Sequence, residues 1–294
     1  MPDREELEFY ASHGPISHPG NFQGMLNNLP SGVNRLCDMI QGIMIHAHWA
    51  ERYDRKLSEE EALEPELRHV TKQLQRIKEI HDADLASPRS VENRLACTCR
   101  DFALMLTTSL REQDIPARAR CGFGAYFEPN KYVDHWVCEY WNSDQQRWIL
   151  VDAQLDEFQQ KELRLPFDPL DVPRDMFLVA GQAWQLCRND QADPEKFGIF
   201  DMWGLWFIKS NLIRDLASLN KTELLPWDSW GLMSESEPDE SNRETLLLDR
   251  VAELTSVDHW SFEKIQYTYQ QEEGLKVPAR ITSYSKKGPE FIDL

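Results

Sequence analysis

Between residues 98 and 152 the chain changes its apolar periodicity once, and this change constrains the fold more than any other feature. The run Thr98-Cys99-Arg100-Asp101-Phe102-Ala103-Leu104 opens a stretch that predicts a helix to about Gln113, apolar on more than one side and therefore buried. Two or three strands are expected from Ala117 to Asp152. Two of them are the aromatic-rich segments Asp134 to Trp141 and Arg147 to Asp152, split by the polar stretch Asn142 to Gln146. Trp136, Val137, Tyr140, Trp148, Ile149 and Val151 suit a pleated, half-buried surface, and the short polar break suits a hairpin. A helix followed by antiparallel strands places the chain in the α+β class.

The start of that helix carries a chemical signal. Thr98 and Asp101 have the spacing of a capping box, which makes Cys99 the first helical residue. A sulfur there lies near the partial positive charge of the helix end, which favours thiolate over thiol. Backbone N–H groups of the same turn can point at an oxyanion. On the hairpin, positions 135 and 152 sum to an odd number, so a regular hairpin with an even loop puts both side chains on one face. A two-residue loop at Ser143-Asp144 would set them directly opposite, and a four-residue loop, Ser143 to Gln146, one diagonal step apart. An Asp152 carboxylate accepting from the His135 imidazole would fix its tautomer and leave the other nitrogen for sulfur. Thiol, imidazole and carboxylate are the parts of a nucleophile activated by an oriented base. The ordinary alternatives are a small apolar cysteine on a buried helix and a polar pair at the ends of a hairpin.

Composition narrows the partners. The 294 residues carry a formal net charge of −18, so a phosphate backbone would meet no basic surface, and nucleic acid is not expected. The N-terminus Met1-Pro2-Asp3-Arg4-Glu5-Glu6 lacks the apolar core of a secretory signal. No stretch approaches the roughly 20 apolar residues of a membrane span, so no membrane partner is expected. Six scattered cysteines in a chain of this size fit reduced thiols and a cytoplasmic setting.

Three regions are expected. Residues 1–33 form an arm punctuated by His13-Gly14-Pro15, His18-Pro19-Gly20 and Leu29-Pro30-Ser31-Gly32. Residues 34–165 form a core that includes two N-terminal helices. One carries Leu36, Ile40, Ile43, Met44 and Ala47, and the other Leu63, Leu67, Val70, Leu74 and Ile77. Together they are expected to pack as an antiparallel hairpin. Residues 166–294 form a mostly helical, Trp-rich extension containing Met202 to Leu219. It holds an acidic break, Ser234 to Glu240, expected to be an exposed loop.

Cys97 is a rival nucleophile, but it precedes the cap and would point away from the helix axis. Asn93, six residues before Cys99, is an oxyanion candidate whose ordinary alternative is a loop or capping role. His46-Ala47-His48 would not share a helix face, and no third ligand is evident, so no metal is expected. Trp203, Trp206, Trp227 and Trp230 are expected in the core rather than around a pocket.

Cys99-Arg100-Asp101-Phe102-Ala103, then Ser109-Leu110-Arg111 and Ile115-Pro116-Ala117-Arg118, resemble the nucleophile helix and following strand of the transglutaminase-like superfamily. Asp134-His135 with Glu139 resembles its histidine strand, and Trp148-Ile149-Leu150-Val151-Asp152 its aspartate strand. The stretch from Asp134 to Ala153 is also similar, without a gap, to the corresponding part of the peptide:N-glycanase family. The resemblance covers roughly residues 90 to 156, and Cys97 stands where the family usually has glycine. Paired Cys-x-x-Cys zinc motifs and a calcium-site pattern are absent, so neither glycoprotein deglycosylation nor protein crosslinking follows. The resemblance implies a papain-like transglutaminase core and a Cys99-His135-Asp152 triad. It also implies a thioester mechanism on a peptide, protein or small amide or ester, without a cofactor. The alternative is a catalytically inactive binding module that kept the fold.

Overall fold

Apolar spacing, caps and breakers account for most of the elements in the computed structural model, which describes residues 2–233, 243–256 and 261–294. The chain divides into two compact units. The first comprises Met1–Ala119 and Val137–Val172, and the second Arg120–Trp136 and Pro173–Leu294.

In the first unit, α1 (Arg4–Ala11) starts where the Asp3 side chain accepts from the Glu6 N–H. The arm therefore contains a capped helix and a 3-10 segment, Gly20–Leu26, as well as its Pro-Gly turns. Helix α2 (Val33–Ile43) buries Leu36, Ile40 and Ile43. The helical pattern expected to reach Ala47 stops at Ile43, because Met44 and Ile45 continue as strand β1 (Met44–His46). A 3-10 segment, Ala47–Tyr53, follows. The second expected helix is shortened to α3 (Val70–Ile80). Leu63 falls in a 3-10 turn, Glu61–Glu66, that contains Pro65, whose ring disfavours helix at the residue before it. A hairpin of α2 and α3 does not form. Both helices instead pack on α4 (Cys99–Arg111), with strand β2 (Leu95–Cys97) leading into it. Every residue of α4 is buried, as its two-sided apolar pattern requires.

Strand β1 pairs in parallel with β2, His46 beside Cys97. Strand β3 (Ala117–Gly124) and strand β4 (Tyr132–Asn142) both cross the division between the units, at 119/120 and 136/137. Strand β5 (Arg147–Val151) pairs antiparallel with β4, Asn142 opposite Arg147 and Cys138 opposite Val151. Helix α5 (Glu157–Leu163) follows, capped by Asp156 on the Gln159 N–H. Buried Arg118 donates to Glu139 at 2.7 Å and to Glu6 at 3.2 Å, with its guanidinium over the Trp148 ring at 3.9 Å.

In the second unit, the chain runs through β6 (Phe177–Val179), α6 (Ala180–Arg188), β7 (Phe197–Ile199), β8 (Met202–Trp203) and α7 (Leu205–Leu219). It continues through β9 (Asp228–Ser229), α8 (Arg243–Thr255), α9 (Phe262–Gln271), β10 (Arg280–Ser285) and β11 (Gly288–Asp293). The sheet order is β6-β3-β4-β7-β8, and β11-β10-β9 form a separate sheet. Gly122 permits the close approach of β6, since a Cβ there would lie 2.2 Å from the Leu178 carbonyl oxygen. Arg120 makes a buried two-point pair with Asp215 of α7 at 3.0 and 2.9 Å. Among the described residues the C-terminal region is thus helical with six short strands as well. Trp230 is buried, whereas Trp203, Trp206 and Trp227 are half-buried. The acidic break expected at Ser234 to Glu240 lies outside the described residues.

Candidate active site

Cys99 occupies the first position of α4, and the expected capping box is present around it. The Thr98 N–H donates to Asp101 Oδ2 at 2.8 Å, and the Thr98 hydroxyl donates to the same oxygen at 3.0 Å. The other oxygen, Oδ1, accepts from Arg100 at 2.8 Å and from Gln73 of α3 at 2.8 Å. Arg100 is fully buried and also donates to the Arg68 carbonyl at 2.6 Å. Four donors converge on one carboxylate, so the loop entering the helix is fixed by directional bonds from three elements. Charge-assisted bonds of this kind are roughly twice as strong as neutral ones. Sulfur at the helix end therefore sits on a rigid turn. Gln73 has no motif signal and appears only when α3 packs on α4.

Five other thiols occupy the chain, and all six cysteines are free. The Cys97 side chain is fully enclosed in β2, 3.5 Å from the Ile45 carbonyl that accepts from it, and burial pushes its thiol well up. Burial likewise raises Cys37, pushes Cys138 up to about 12, and pushes Cys187 up to about 12. Such thiols stay protonated near neutral pH and are poor nucleophiles. Cys97 is thereby disfavoured as the rival nucleophile.

Asp152 follows β5 in the same unit as Cys99 and is buried. Its Oδ1 accepts from the Gln154 N–H at 3.2 Å, and its own N–H donates to the Pro169 carbonyl at 2.8 Å. The observed hairpin loop is the four-residue one, Ser143 to Gln146. Continuing the register by one pair sets position 137 opposite 152, and 135 shares the parity of 137.

His135 lies in the second unit, on β4, and is 2% exposed. Phe127 meets its ring edge-on with centroids 4.7 Å apart, and Tyr126 and Phe177 stand at 5.9 and 6.4 Å. Its neighbour Asp134 accepts from the Asn211 amide of α7 at 2.7 Å, and Asn211 in turn accepts from Arg214 at 3.0 Å. Burial raises the Asp134 carboxyl, an effect opposed by the Arg214 charge and the Asn211 bond. Burial lowers the Arg214 guanidinium, opposed by neighbours including Asp134. No motif in the sequence points to Asn211, because its spacing from Asp134 is long-range.

Asn93 ends a 3-10 turn, Val91–Asn93, and its amide donates to the Ser90 hydroxyl at 3.2 Å. His46 and His48 lie on β1 and the turn after it rather than on a helix, and the His48 N–H donates to His46 Nδ1 at 3.3 Å. Among the described residues, no group of three or more His, Cys, Asp or Glu could hold a metal ion. No helix among them is long and apolar enough to cross a membrane.

Residues 47–153 match the family model of the transglutaminase-like superfamily, a segment that contains Asn93, Cys99, His135 and Asp152. No curated protein matches the chain, and no solved structure does.

Proposed function

We propose, from the premise that residues 47–153 form a transglutaminase-like domain, that the protein is a cysteine acyl-transfer enzyme with Cys99, His135 and Asp152 as its triad. The observation that carries the reading is Cys99 at the first position of a buried helix, on a turn fixed by Asp101. The Cys99 thiol gives its proton to His135, the thiolate attacks the carbonyl carbon of an amide or ester, and charge develops on the carbonyl oxygen. Backbone N–H groups of the first turn stabilise that oxyanion, with the remaining Asn93 amide N–H as a further donor. The C–N or C–O bond then breaks, and His135 gives its proton to the leaving group, held in orientation by Asp152. Water or an amine attacks the thioester, His135 takes the proton of the attacking group, and the acid or new amide leaves with the thiolate restored. Substrates are peptides, proteins or small amides or esters, and the setting is a reducing cytoplasm without nucleic acid or membrane as partner.

The test is site-resolved alkylation of the native protein by iodoacetamide at pH 6, followed by peptide mass analysis. Cys99 is expected to react at least about tenfold faster than Cys97, Cys138 or Cys187, whose thiolate fractions are negligible there. His135→Ala should abolish the advantage. Equal rates at all sites would overturn the reading and leave a binding module that kept the fold.

A further inference from the structure

Strand β11 forms one edge of its sheet, whose order is β11-β10-β9, and among the described residues no strand pairs with its outer side. Two backbone bonds fix which way its peptide groups point. The Tyr284 N–H donates to the Trp227 carbonyl, so Tyr284, Thr282 and Arg280 face β9, and Ile281, Ser283 and Ser285 face β11. The Leu294 N–H donates to the Ala279 carbonyl, so on β11 Ile292 and Glu290 face β10. The register agrees, with Ile281 opposite Ile292 and Ser283 opposite Glu290. Pro289, Phe291 and Asp293 therefore turn their backbone groups outward. Proline has no N–H, so the open edge offers two donors and three carbonyls.

Side chains on the hairpin divide by the same parity. Ile281 and Ile292 share one face, on which Ile281 is buried. On the other face Thr282 lies opposite Phe291 and Tyr284 opposite Pro289. Phe291 is 77% exposed and Tyr284 56%, so two aromatic rings stand in solvent beside the open edge. Charge is graded along the strand. Lys286 and Lys287 occupy the turn, while Glu290 and Asp293 follow on β11, the latter accepting from Arg280 at 2.7 Å. An open edge with apolar side chains is a template for another strand.

We propose that β11 is a docking edge for a second copy of this chain, the two β11 strands pairing antiparallel about a two-fold axis at Phe291. Each Phe291 N–H donates to the Phe291 carbonyl of the other copy, and each Asp293 N–H to its Pro289 carbonyl. All four outward donors are used, and the only ladder bonds missing are the two for which proline has no hydrogen. The Phe291 rings meet across the axis. The same register sets Lys287 of each copy one diagonal step from Asp293 of the other, whereas parallel pairing would set lysine beside lysine. An axis at Glu290 would oppose two carboxylates directly, and one at Ile292 would place the two Asp293 side chains on a diagonal. The pairing uses the same patch on both copies and so closes as a dimer. Cys99, His135 and Asp152 take no part in it.

Sedimentation velocity of the intact protein from about 1 to 500 µM tests the pairing. A shift from the mass of one chain to that of two is expected, with a Kd of about 10–100 µM, because one strand edge makes an interface below the standard size. Phe291→Pro removes the central outward N–H without touching a bond to β10, and should weaken association at least about tenfold. Phe291→Lys keeps that N–H but sets two ammonium groups on the axis, and should weaken it as much. Circular dichroism checks the folding of both. Phe291→Cys should form a disulfide-linked dimer under mild oxidation with diamide, since facing residues of such a pair lie about 5.5 Å apart. Lys286→Cys, exposed at the turn and far from the axis, should not. A single-chain mass at every concentration overturns the proposal and leaves the edge to a strand of different sequence. So does a dimer unchanged by folded Phe291→Pro, or equal cross-linking at the two cysteine positions. The native concentration dependence and the cross-linking decide the matter even where the proline variant does not fold.

Discussion

Cys99 and His135 are 8% and 2% exposed, yet the two are held by opposite means. Around Cys99 the constraint is polar: one carboxylate, Asp101, gathers bonds from Thr98, Arg100 and Gln73 and fixes the turn on which sulfur stands. Around His135 the constraint is aromatic, with Phe127, Tyr126 and Phe177 set edge-on about its ring. A directional network fixes an atom's position but fails as a unit when its centre is removed. Aromatic packing yields gradually, in proportion to the area lost. Under the proposed function, a nucleophile gains from the first arrangement, and a proton-exchanging imidazole gains from rings that fix its plane.

This contrast can be broken or sharpened in order of expected effect. Cys99→Ala should lower acyl transfer from an activated ester by at least about 10³-fold with folding unchanged, read by stopped-flow turnover and circular dichroism. Residual activity above that level would remove Cys99 from the chemistry. Next, Asp101→Ala should destabilise the protein by about 3 kcal/mol in urea unfolding, because it strands the buried Arg100 charge as well as opening the cap. Phe127→Ala should cost less, about 1–2 kcal/mol, since that ring is half-buried. A cost for Phe127→Ala exceeding that of Asp101→Ala would invert the comparison.

Asp134 gives a pH test on the histidine side. Its carboxyl is raised in the folded state, so the fold holds that proton more tightly than the unfolded chain does. The resulting stability is fully present below the ordinary carboxylate value of about 3.9, and is lost as pH rises through the raised folded value. Asp134→Asn should remove this downward slope from unfolding curves taken between about pH 4 and 7. A slope identical to that of the native protein would mean that Asp134 titrates normally. Smallest of all, Arg147→Ala removes an exposed pair with Asp171 at the hairpin end and should change stability by no more than about 0.5 kcal/mol.

The elements that the sequence made legible are those whose determinants lie within a few residues. The α4 cap needs only Thr98 and Asp101, and the β4–β5 hairpin needs only its alternating aromatics and polar loop. The helix expected through Ala47 failed because Met44 and Ile45 serve equally well in a strand, and pairing with Leu95 and Ala96 decided between the two. The helix expected from Leu63 failed because Pro65 interrupts a pattern that apolar spacing alone would continue. Cys99, His135 and Asp152 were legible as residue types in suitable segments. Gln73 and Asn211 were not.

The sequence by itself determined where the cysteine helix begins, which residue opens it, and the parity of positions 135 and 152, since helix caps and strand alternation are local rules. Tertiary structure alone decided what surrounds them: Gln73 on Asp101, and Phe127 and Phe177 beside His135. The physical reason is that burial and hydrogen-bond satisfaction are properties of groups distant in the chain. A residue's identity states what it can donate or accept, and only packing decides whether a partner is there.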